Sequence, residues 1–242
     1  MLVTCYYDLY NKPEGFEYYL NLFTPLGQSG LPIVLFVDPA HVERFADFPF
    51  TVKVVGMPLM DFETYRIAMK YDRDLPTGRT PAKDTKEFFG LMNTKIEFVK
   101  KAAELYPNVS DSTFIWCDYG ILKISKNPER FINKIKEIQS RTFEKMTIPG
   151  CWSFGRKFNT DNICWRFCGG FFVIPRSFID TFYNHCKGVL TDFCTNGAYR
   201  LTWETNIWAV IECCAEKQNI NWYFADHNDT MVMNIDKMAK QD

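Results

Sequence analysis

Residues 31–37, Leu-Pro-Ile-Val-Leu-Phe-Val, form a run that is apolar at every position and does not alternate with polar side chains. A strand with one face in water alternates, whereas a strand of a parallel sheet is covered by helices on both faces and is apolar throughout. Similar short runs recur at 2–7, 51–55 and 113–117, with helix-like segments between them. This order predicts an α/β fold with a largely parallel sheet flanked by helices.

The remaining segments predict how the sheet is completed. Apolar residues at helical spacing predict one long helix over 86–106, which ends before Pro107. The second half has a mixed pattern. Its predicted helices are 128–140, 178–189 and 203–217, and its predicted extended segments are 148–154, 164–174 and 221–224.

Length and composition set limits on the class of protein. A chain of 242 residues with 47% hydrophobic residues can bury one large core. We therefore expect a single domain over 1–242, with a nucleotide-binding half at 1–120 and an acceptor and catalytic half at 121–242. The formal net charge is -1 and the cationic residues are scattered, so nucleic acid is not an expected partner.

Localisation is predicted from the cysteines and the apolar runs. The sequence shows no secretory leader pattern and no run of the roughly 20 apolar residues that a membrane helix needs. Nine cysteines, an odd number, fit reduced thiols in the cytoplasm. Cys164 and Cys168 are four residues apart, but no second pair follows at zinc-site spacing, so the sequence does not favour a zinc site.

Asp118 directly follows the apolar run 113–117, and Gly120 allows the chain to turn sharply there. Ligands of open α/β sheets bind beyond the carboxyl ends of the strands, so Asp118 is a candidate active-site residue. The alternative is an aspartate that only caps a turn.

Three other segments contribute polar groups or glycines that can meet Asp118. Gly169 and Gly170 interrupt an apolar, strand-like run, which is typical of a bulge or of backbone lying against a ligand. Glu204 falls in the first turn of a predicted helix, where it can also simply stabilise the helix dipole. His227 lies in a polar segment after the last predicted strand, and a solvated turn is the alternative there.

Taken together, these segments resemble the HtrL/YibB family, which looks like a group of glycosyltransferases with the GT-A fold. The resemblance covers most of the chain. It is carried by Val-Thr-Cys-Tyr-Tyr-Asp at 3–8, Asn-Thr-Lys at 93–95, Phe-Ile-Trp-Cys-Asp-Tyr-Gly-Ile at 114–121 and Cys-Gly-Gly-Phe-Phe at 168–172. It implies a GT-A-like, Rossmann-like mixed sheet flanked by helices, and a hexosyltransferase that uses a nucleotide-sugar donor, most often a UDP-sugar.

The resemblance also implies a metal site. In GT-A enzymes a strand-terminal acidic motif, often Asp-x-Asp, holds a divalent cation that neutralises the leaving diphosphate. Here Gly120 occupies the position of the second aspartate, so Asp118 is the one carboxylate of the motif. His227 is similar in placement to a carboxyl-terminal histidine ligand of such enzymes, with Asp226 or Asp229 as substitutes. Imidazole ligation favours Mn²⁺ over Mg²⁺.

The remaining roles follow from the same resemblance. Residues after the first strand would face the nucleoside, Lys95 would reach the ribose or phosphates, and a glycine pair would lie under the sugar. Glu204 would take the proton of the attacking hydroxyl, which predicts inversion at the anomeric carbon. A retaining enzyme would instead use Glu204 only to hold the sugar or the acceptor. The core and a solvated helix face are the alternative places for Tyr6 and Lys95. The residues expected to contact the sugar donor are Thr4, Tyr6, Asp8, Lys95, Asp118, Gly169 and Gly170.

The sequence thus predicts a metal-dependent glycosyltransferase that moves a sugar to a hydroxyl group of a glycan or another acceptor. Two alternatives stay open. One is a metal-dependent nucleotide-sugar hydrolase or nucleotidyltransferase, because the same cation can activate water. The other is a non-catalytic sugar-binding module, because a fold does not dictate a function.

Overall fold

One mixed sheet organises the chain in the computed structural model, which describes residues 1–9, 15–107, 113–155, 159–216 and 219–237. Within these ranges the sheet has seven strands in the order β3-β2-β1-β4-β6-β5-β7. β6 is antiparallel to its neighbours β4 and β5, and the other neighbouring pairs are parallel. The strands are β1 (Leu2–Tyr6), β2 (Ile33–Val37), β3 (Val52–Gly56), β4 (Thr113–Cys117), β5 (Met146–Gly150), β6 (Phe171–Pro175) and β7 (Ile220–Phe224).

Helices cover both faces of this sheet. Helices α1, α5 and α8 supply Phe23, Phe131 and Met231 to one buried layer, and α2, α3, α4, α6 and α7 supply side chains to the other. The α-helices are α1 (Gly15–Gly27), α2 (Glu63–Met69), α3 (Lys86–Asn93), α4 (Lys95–Leu105), α5 (Pro128–Gln139), α6 (Arg176–Thr195), α7 (Glu204–Ile211) and α8 (Thr230–Met233). Short 3₁₀ turns lie at Pro39–Phe45, Leu59–Asp61 and Ile121–Ile124, and a π-helical turn at Glu212–Glu216 follows α7.

The predicted fold class is confirmed. Every residue of β2 and β4 is buried, as the lack of alternation in these runs predicted. Trp116 packs into one layer and Cys117 into the other, so the two faces of β4 are both inside the protein. Within the described residues, no helix is long and apolar enough to cross a membrane.

The single helix predicted over 86–106 is wrong, because the chain forms two helices there. Thr94 ends α3, and its hydroxyl donates to the carbonyl of Gly90 at 2.8 Å. The hydroxyl of Thr64, from a distant part of the chain, lies 3.2 Å from the Thr94 hydroxyl oxygen and donates to Glu97 Oε2 at 2.6 Å, contacts that periodicity does not reveal. The break sets the direction in which Lys95, the first residue of α4, projects.

The strand directions decide which loops meet. Since β6 runs against its neighbours, its first residue Phe171 pairs with Cys117, the last residue of β4. The segment before β6 therefore lies at the same sheet edge as the segments that follow β1, β4, β5 and β7. The strand order also reverses between β1 and β4, and this switch point is where open α/β sheets bind their ligands.

Candidate active site

Asp118 lies at the carboxyl edge of the sheet, where its backbone and its side chain make hydrogen bonds to different partners. Its N–H donates to the carbonyl of Gly170 at 2.9 Å, and its own carbonyl accepts from Ile121 in the following turn. Its side-chain Oδ1 instead accepts from the indole Nε1 of Trp116 at 2.9 Å. The carboxylate therefore does not cap the turn, and its side chain stays 42% exposed.

Lys95 is the buried centre of the site, with a side chain that is only 2% exposed. Its Nζ lies 2.9 Å from the carbonyl oxygen of Gly169, 2.8 Å from Glu204 Oε1 and 3.1 Å from Asp118 Oδ1. An ammonium group has three protons to donate, and each has an acceptor here. The alternative of a solvated helix face for Lys95 is therefore wrong.

The charges in this cluster are coupled. Burial lowers the pKa of Lys95, but the carboxylates of Asp118 and Glu204 outweigh that effect and raise the pKa above its usual range. Lys95 is thus a permanent cation at neutral pH. One positive charge against two carboxylates leaves the cluster with a net negative charge.

The glycine pair allows the cluster to pack this closely. A Cβ atom on Gly169 would lie 2.0 Å from Glu204 Oε1, so no other residue type leaves that carboxylate where it is. A Cβ atom on Gly170 would lie 3.3 Å from Asp118 Oδ2. Glu204 is buried at the first position of α7, and its approach to the sheet edge depends on Gly169.

A cavity of about 130 Å³ opens beside this cluster at the switch point between β1 and β4. It is smaller than the 300–1,000 Å³ typical of a pocket that encloses a whole small-molecule ligand, so it can hold only part of one. Aromatic rings and apolar side chains from β1, α1 and α3 form much of its wall. Its lining residues are Cys5, Tyr6, Tyr7, Leu9, Tyr19, Phe88, Leu91, Met92, Lys95, Trp116, Asp118, Tyr119 and Gly120.

The three residues predicted to face a nucleoside differ in position. Tyr6 lines the cavity, 5.0 Å from the ring of Tyr119, and burial with help from Asp8 raises the pKa of its hydroxyl to about 12. Thr4 is completely buried within β1 and does not line the cavity. Asp8 is exposed beyond the end of β1 and is not among the lining residues either.

His227 lies elsewhere along the same edge. Its Nδ1 is 3.8 Å from Cys151 Sγ and 3.5 Å from Asp226 Oδ1, and its ring packs at 4.0 Å from the ring of Trp165. Among the described residues, no ion pair joins His227 to Asp118. β4 and β7 are three positions apart in the sheet, about 14 Å at the usual strand spacing.

Asp118 keeps one oxygen that suits a divalent cation. Oδ1 is engaged by Trp116 and Lys95, whereas no hydrogen bond or ion pair from a described residue reaches Oδ2. The negative charge left on the cluster favours a cation at this oxygen, and carboxylate oxygen is a suitable ligand for Mg²⁺ or Mn²⁺. The residues therefore fit a cation at Asp118, with a single carboxylate.

Several residues that support the site were not predicted from the sequence. Trp116 supplies the indole N–H that orients Asp118. Asn93 is buried and donates to the carbonyls of Phe89 and Thr202, which ties α3 to the segment that precedes Glu204. Trp116 could have been found from the sequence, because it lies two positions before the strand-terminal Asp118, a spacing that places both side chains on one side of the strand. Asn93 could not, because its role depends on a contact with Thr202, 109 residues away, that no local pattern indicates.

Comparison with known proteins gives no family: no family model matches the chain, and no curated protein does. The solved structures similar to it include three that cover 93% of the chain. A glycosyltransferase involved in the glycosylation of the major capsid of PBCV-1 is 11% identical over 80% of its own length, with a TM-score of 0.44. The 4-diphosphocytidyl-2C-methyl-D-erythritol synthase of Anaerococcus prevotii is 9% identical over 86% of its length, with a TM-score of 0.44. The bifunctional IspDF of Campylobacter jejuni is 11% identical over 48% of its length, with a TM-score of 0.39. Because these identities and TM-scores are low, the function has to be argued from the residues at the sheet edge.

Proposed function

We propose that the protein is a metal-dependent glycosyltransferase that moves a sugar from a nucleotide-diphosphate sugar to a hydroxyl acceptor. The observation that carries this proposal is the cluster of buried Lys95 and Glu204 with the partly exposed Asp118, beside a cavity at the switch point of the sheet. Buried charge of this kind at a ligand-binding edge is typical of a functional site. The resemblance to the HtrL/YibB family and to GT-A enzymes agrees with this assignment, and UDP is the expected nucleotide on that ground.

The cavity is the proposed place of the nucleoside. The ring of Tyr6 supplies an aromatic face for the base, and Asp8 lies beyond it at the open end of β1. Thr4 would act only through the backbone of β1, because its side chain is enclosed. The small volume means that the diphosphate and the sugar would extend from the cavity along the sheet edge, past Asp118 and over Gly170.

A divalent cation, Mn²⁺ in preference to Mg²⁺, would be held by Asp118 through Oδ2. When bound it would neutralise the charge that develops on the leaving diphosphate. Lys95 holds the Asp118 carboxylate through its other oxygen, Oδ1. His227 remains the proposed second ligand on the strength of the family resemblance, and the segment after β7 would have to move toward β4 for its imidazole to reach the same ion.

Glu204 is the proposed general base. Its Oε1 is held by Lys95, so Oε2 is the oxygen that would take the proton from the acceptor hydroxyl. Attack on the side opposite to the diphosphate would invert the anomeric carbon. Glu204→Gln should then abolish turnover while affinity for the sugar donor persists, and near-normal turnover of this variant would exclude the base role.

Calorimetric titration with UDP, with and without Mn²⁺, tests the proposal. We expect binding that requires Mn²⁺ and that Asp118→Asn weakens by at least about 100-fold, since the cation would lose its carboxylate. Asp180→Asn is the matched control, because Asp180 is an exposed aspartate on α6 that pairs with Lys100. Binding that is indifferent to Mn²⁺ and to Asp118→Asn would contradict the proposal.

Product analysis with a panel of nucleotide sugars separates the alternatives. A transferase releases the nucleoside diphosphate and forms a new glycoside. A hydrolase releases free sugar, and a nucleotidyltransferase forms or cleaves the diphosphate bond itself. A non-catalytic module would bind without turnover. We also propose a cytoplasmic location, in which the nine free cysteines would stay reduced.

A further inference from the structure

Three side chains that bind metals well meet at the same sheet edge as Asp118, in the segments next to β5, β6 and β7. Cys151 follows β5, Cys168 precedes β6, and His227 follows β7. These strands are neighbours in the order β6-β5-β7, and β6 runs in the opposite direction. The topology therefore gathers residues 17 and 76 positions from Cys151 into one cluster.

The distances fit one tetrahedral ion. The two Sγ atoms are 3.6 Å apart, Cys151 Sγ is 3.8 Å from His227 Nδ1, and all three ligand atoms lie within 4.8 Å of one another. Zn–S bonds of about 2.3 Å and Zn–N bonds of about 2.0 Å at tetrahedral angles require S–S and S–N separations of about 3.8 Å and 3.5 Å. The two separations from Cys151 Sγ are close to these values.

Backbone hydrogen bonds hold the cluster in shape. The N–H of Cys168 donates to Pro149 at 2.7 Å, and the N–H of Cys151 donates to Trp165 at 3.0 Å. Ala225, two residues before His227, donates to the carbonyl of Gly150 at 2.9 Å. All three ligand segments are thus connected to the end of β5, and binding an ion would need little rearrangement.

Asp226 offers a fourth ligand. Its Oδ1 lies 3.9 Å from Cys151 Sγ and 3.5 Å from His227 Nδ1, and it accepts the backbone N–H of His227 at 2.7 Å. The ring of Trp165 packs against the imidazole and limits its rotation. Asp226 lies outside the group of three whose ligand atoms are all within 4.8 Å of one another, so its oxygen would have to approach Cys168 to complete a set of two sulfurs, one nitrogen and one oxygen.

We propose that Cys151, Cys168 and His227, with Asp226 in the fourth position, form a binding site for a thiophilic divalent cation, Zn²⁺ by preference. Thiolate and imidazole ligands select Zn²⁺, whereas Mn²⁺ and Mg²⁺ prefer oxygen. The site differs from the proposed cation at Asp118 in its two thiolate ligands and in its metal. The two proposed sites share His227, and an imidazole bound to Zn²⁺ through Nδ1 would have only Nε2 left for the second ion.

Titration of the reduced, metal-free full chain with Co²⁺ and then Zn²⁺ tests the site. A Cys213→Ser/Cys214→Ser background removes two exposed thiols that would bind metal adventitiously. We expect one equivalent of Co²⁺ with the thiolate charge-transfer and visible bands of a tetrahedral sulfur site, displaced by Zn²⁺. Cys151→Ser and the exposed His227→Asn should each weaken binding by about 100-fold or more. Cys194→Ser, at a half-buried thiol near the end of α6, should have no effect.

Two results would overturn the proposal. One is the absence of a thiolate-to-Co²⁺ band, or a band that survives both Cys151→Ser and His227→Asn. The other is a disulfide between Cys151 and Cys168, found by peptide mapping in protein purified without added reductant, together with no Co²⁺ binding after reduction. Circular dichroism of His227→Asn confirms that the variant is folded. The readout is independent of catalysis, so failure of the proposed transferase would leave it intact.

Discussion

Lys95 Nζ lies 2.8 Å from Glu204 Oε1, and both side chains are almost completely removed from solvent. The two residues are 109 positions apart in the sequence and come from the first turns of α4 and α7. A buried ion pair adds little net stability compared with apolar packing, but removing one partner leaves an uncompensated charge. The pair is therefore a sensitive point for both the fold and the site.

Lys95→Met should lower the free energy of unfolding by about 3–5 kcal/mol, because Glu204 would be left as a buried, unpaired carboxylate. Urea denaturation at neutral pH measures this loss. Lys100→Met is the matched control, since Lys100 lies on the same helix in exposed pairs with Glu104 and Asp180, and it should cost less than about 1 kcal/mol. The double variant Lys95→Met/Glu204→Gln should recover part of the loss. A similar loss of unfolding free energy in Lys95→Met and Lys100→Met would mean that the buried pair contributes no more to stability than the exposed pairs.

Deprotonation of Lys95 should contribute to the loss of folding stability at high pH. Its pKa is raised in the folded state, despite the opposing effect of burial, by Asp118 and Glu204. A base with a raised folded pKa contributes stability that is fully present below its unfolded pKa of about 10.4 and is lost as the pH rises through the folded value. The wild type should therefore lose stability above about pH 10 more steeply than Lys95→Met. Urea midpoints from neutral pH to pH 11 test this, and parallel curves for the two proteins would exclude the effect.

Most of the fold could be predicted from local patterns. Thr113–Cys117 and Ile33–Val37 are short apolar runs whose composition alone predicts strands buried on both faces. The break at Thr94 could not be predicted this way, because apolar spacing continues across it and Thr94 contacts Thr64, which is distant in the sequence. Strand order and the reversed direction of β6 likewise depend on long-range pairing.

The site was predicted as a set of residues but not as a network. Asp118 could be found because a polar residue after an apolar strand has a recognisable position. The burial of Lys95 could not, since a lysine near a helix start is usually solvated, and only Gly169 makes its approach to Glu204 possible. Cys151 and Cys168 were missed because their proximity depends on β6 being antiparallel.

Gly169→Ala should disrupt the cluster more than its small change in volume suggests. The new methyl group would lie 2.0 Å from Glu204 Oε1, so the carboxylate or the segment that precedes β6 must move. We expect a loss of about 1–3 kcal/mol in unfolding free energy from overpacking, and loss of Mn²⁺-linked UDP binding. Gly188→Ala is the control, because Gly188 lies on α6 with open space around it and should gain up to about 1 kcal/mol. If Gly169→Ala left both the free energy of unfolding and the UDP binding unchanged, the Glu204 side chain would have room to move.

The segment that leads to Gly169 depends on a second buried pair. Arg166 donates from Nε and one terminal nitrogen to both oxygens of Glu212, at 2.7 and 2.6 Å, and its other terminal nitrogen donates to the carbonyl of Trp152 at 2.7 Å. Both side chains are buried, and Glu212 begins the π-helical turn after α7. The guanidinium thus connects the segments that flank Cys151 and Cys168 to the end of α7.

Arg166→Met should therefore lower the free energy of unfolding by about 3–5 kcal/mol, because it leaves the Glu212 carboxylate buried without its partner. Arg166→Lys should recover only part of this, since an ammonium cannot reproduce the two parallel hydrogen bonds of the guanidinium. Arg141→Met, which breaks a more exposed pair with Asp236, should cost less than about 1 kcal/mol. If Arg166→Lys were as stable as the wild type, charge alone would suffice at this position. A loss in Arg166→Lys that also weakens Co²⁺ binding at Cys151 would instead show that the planar guanidinium holds the sheet edge in shape.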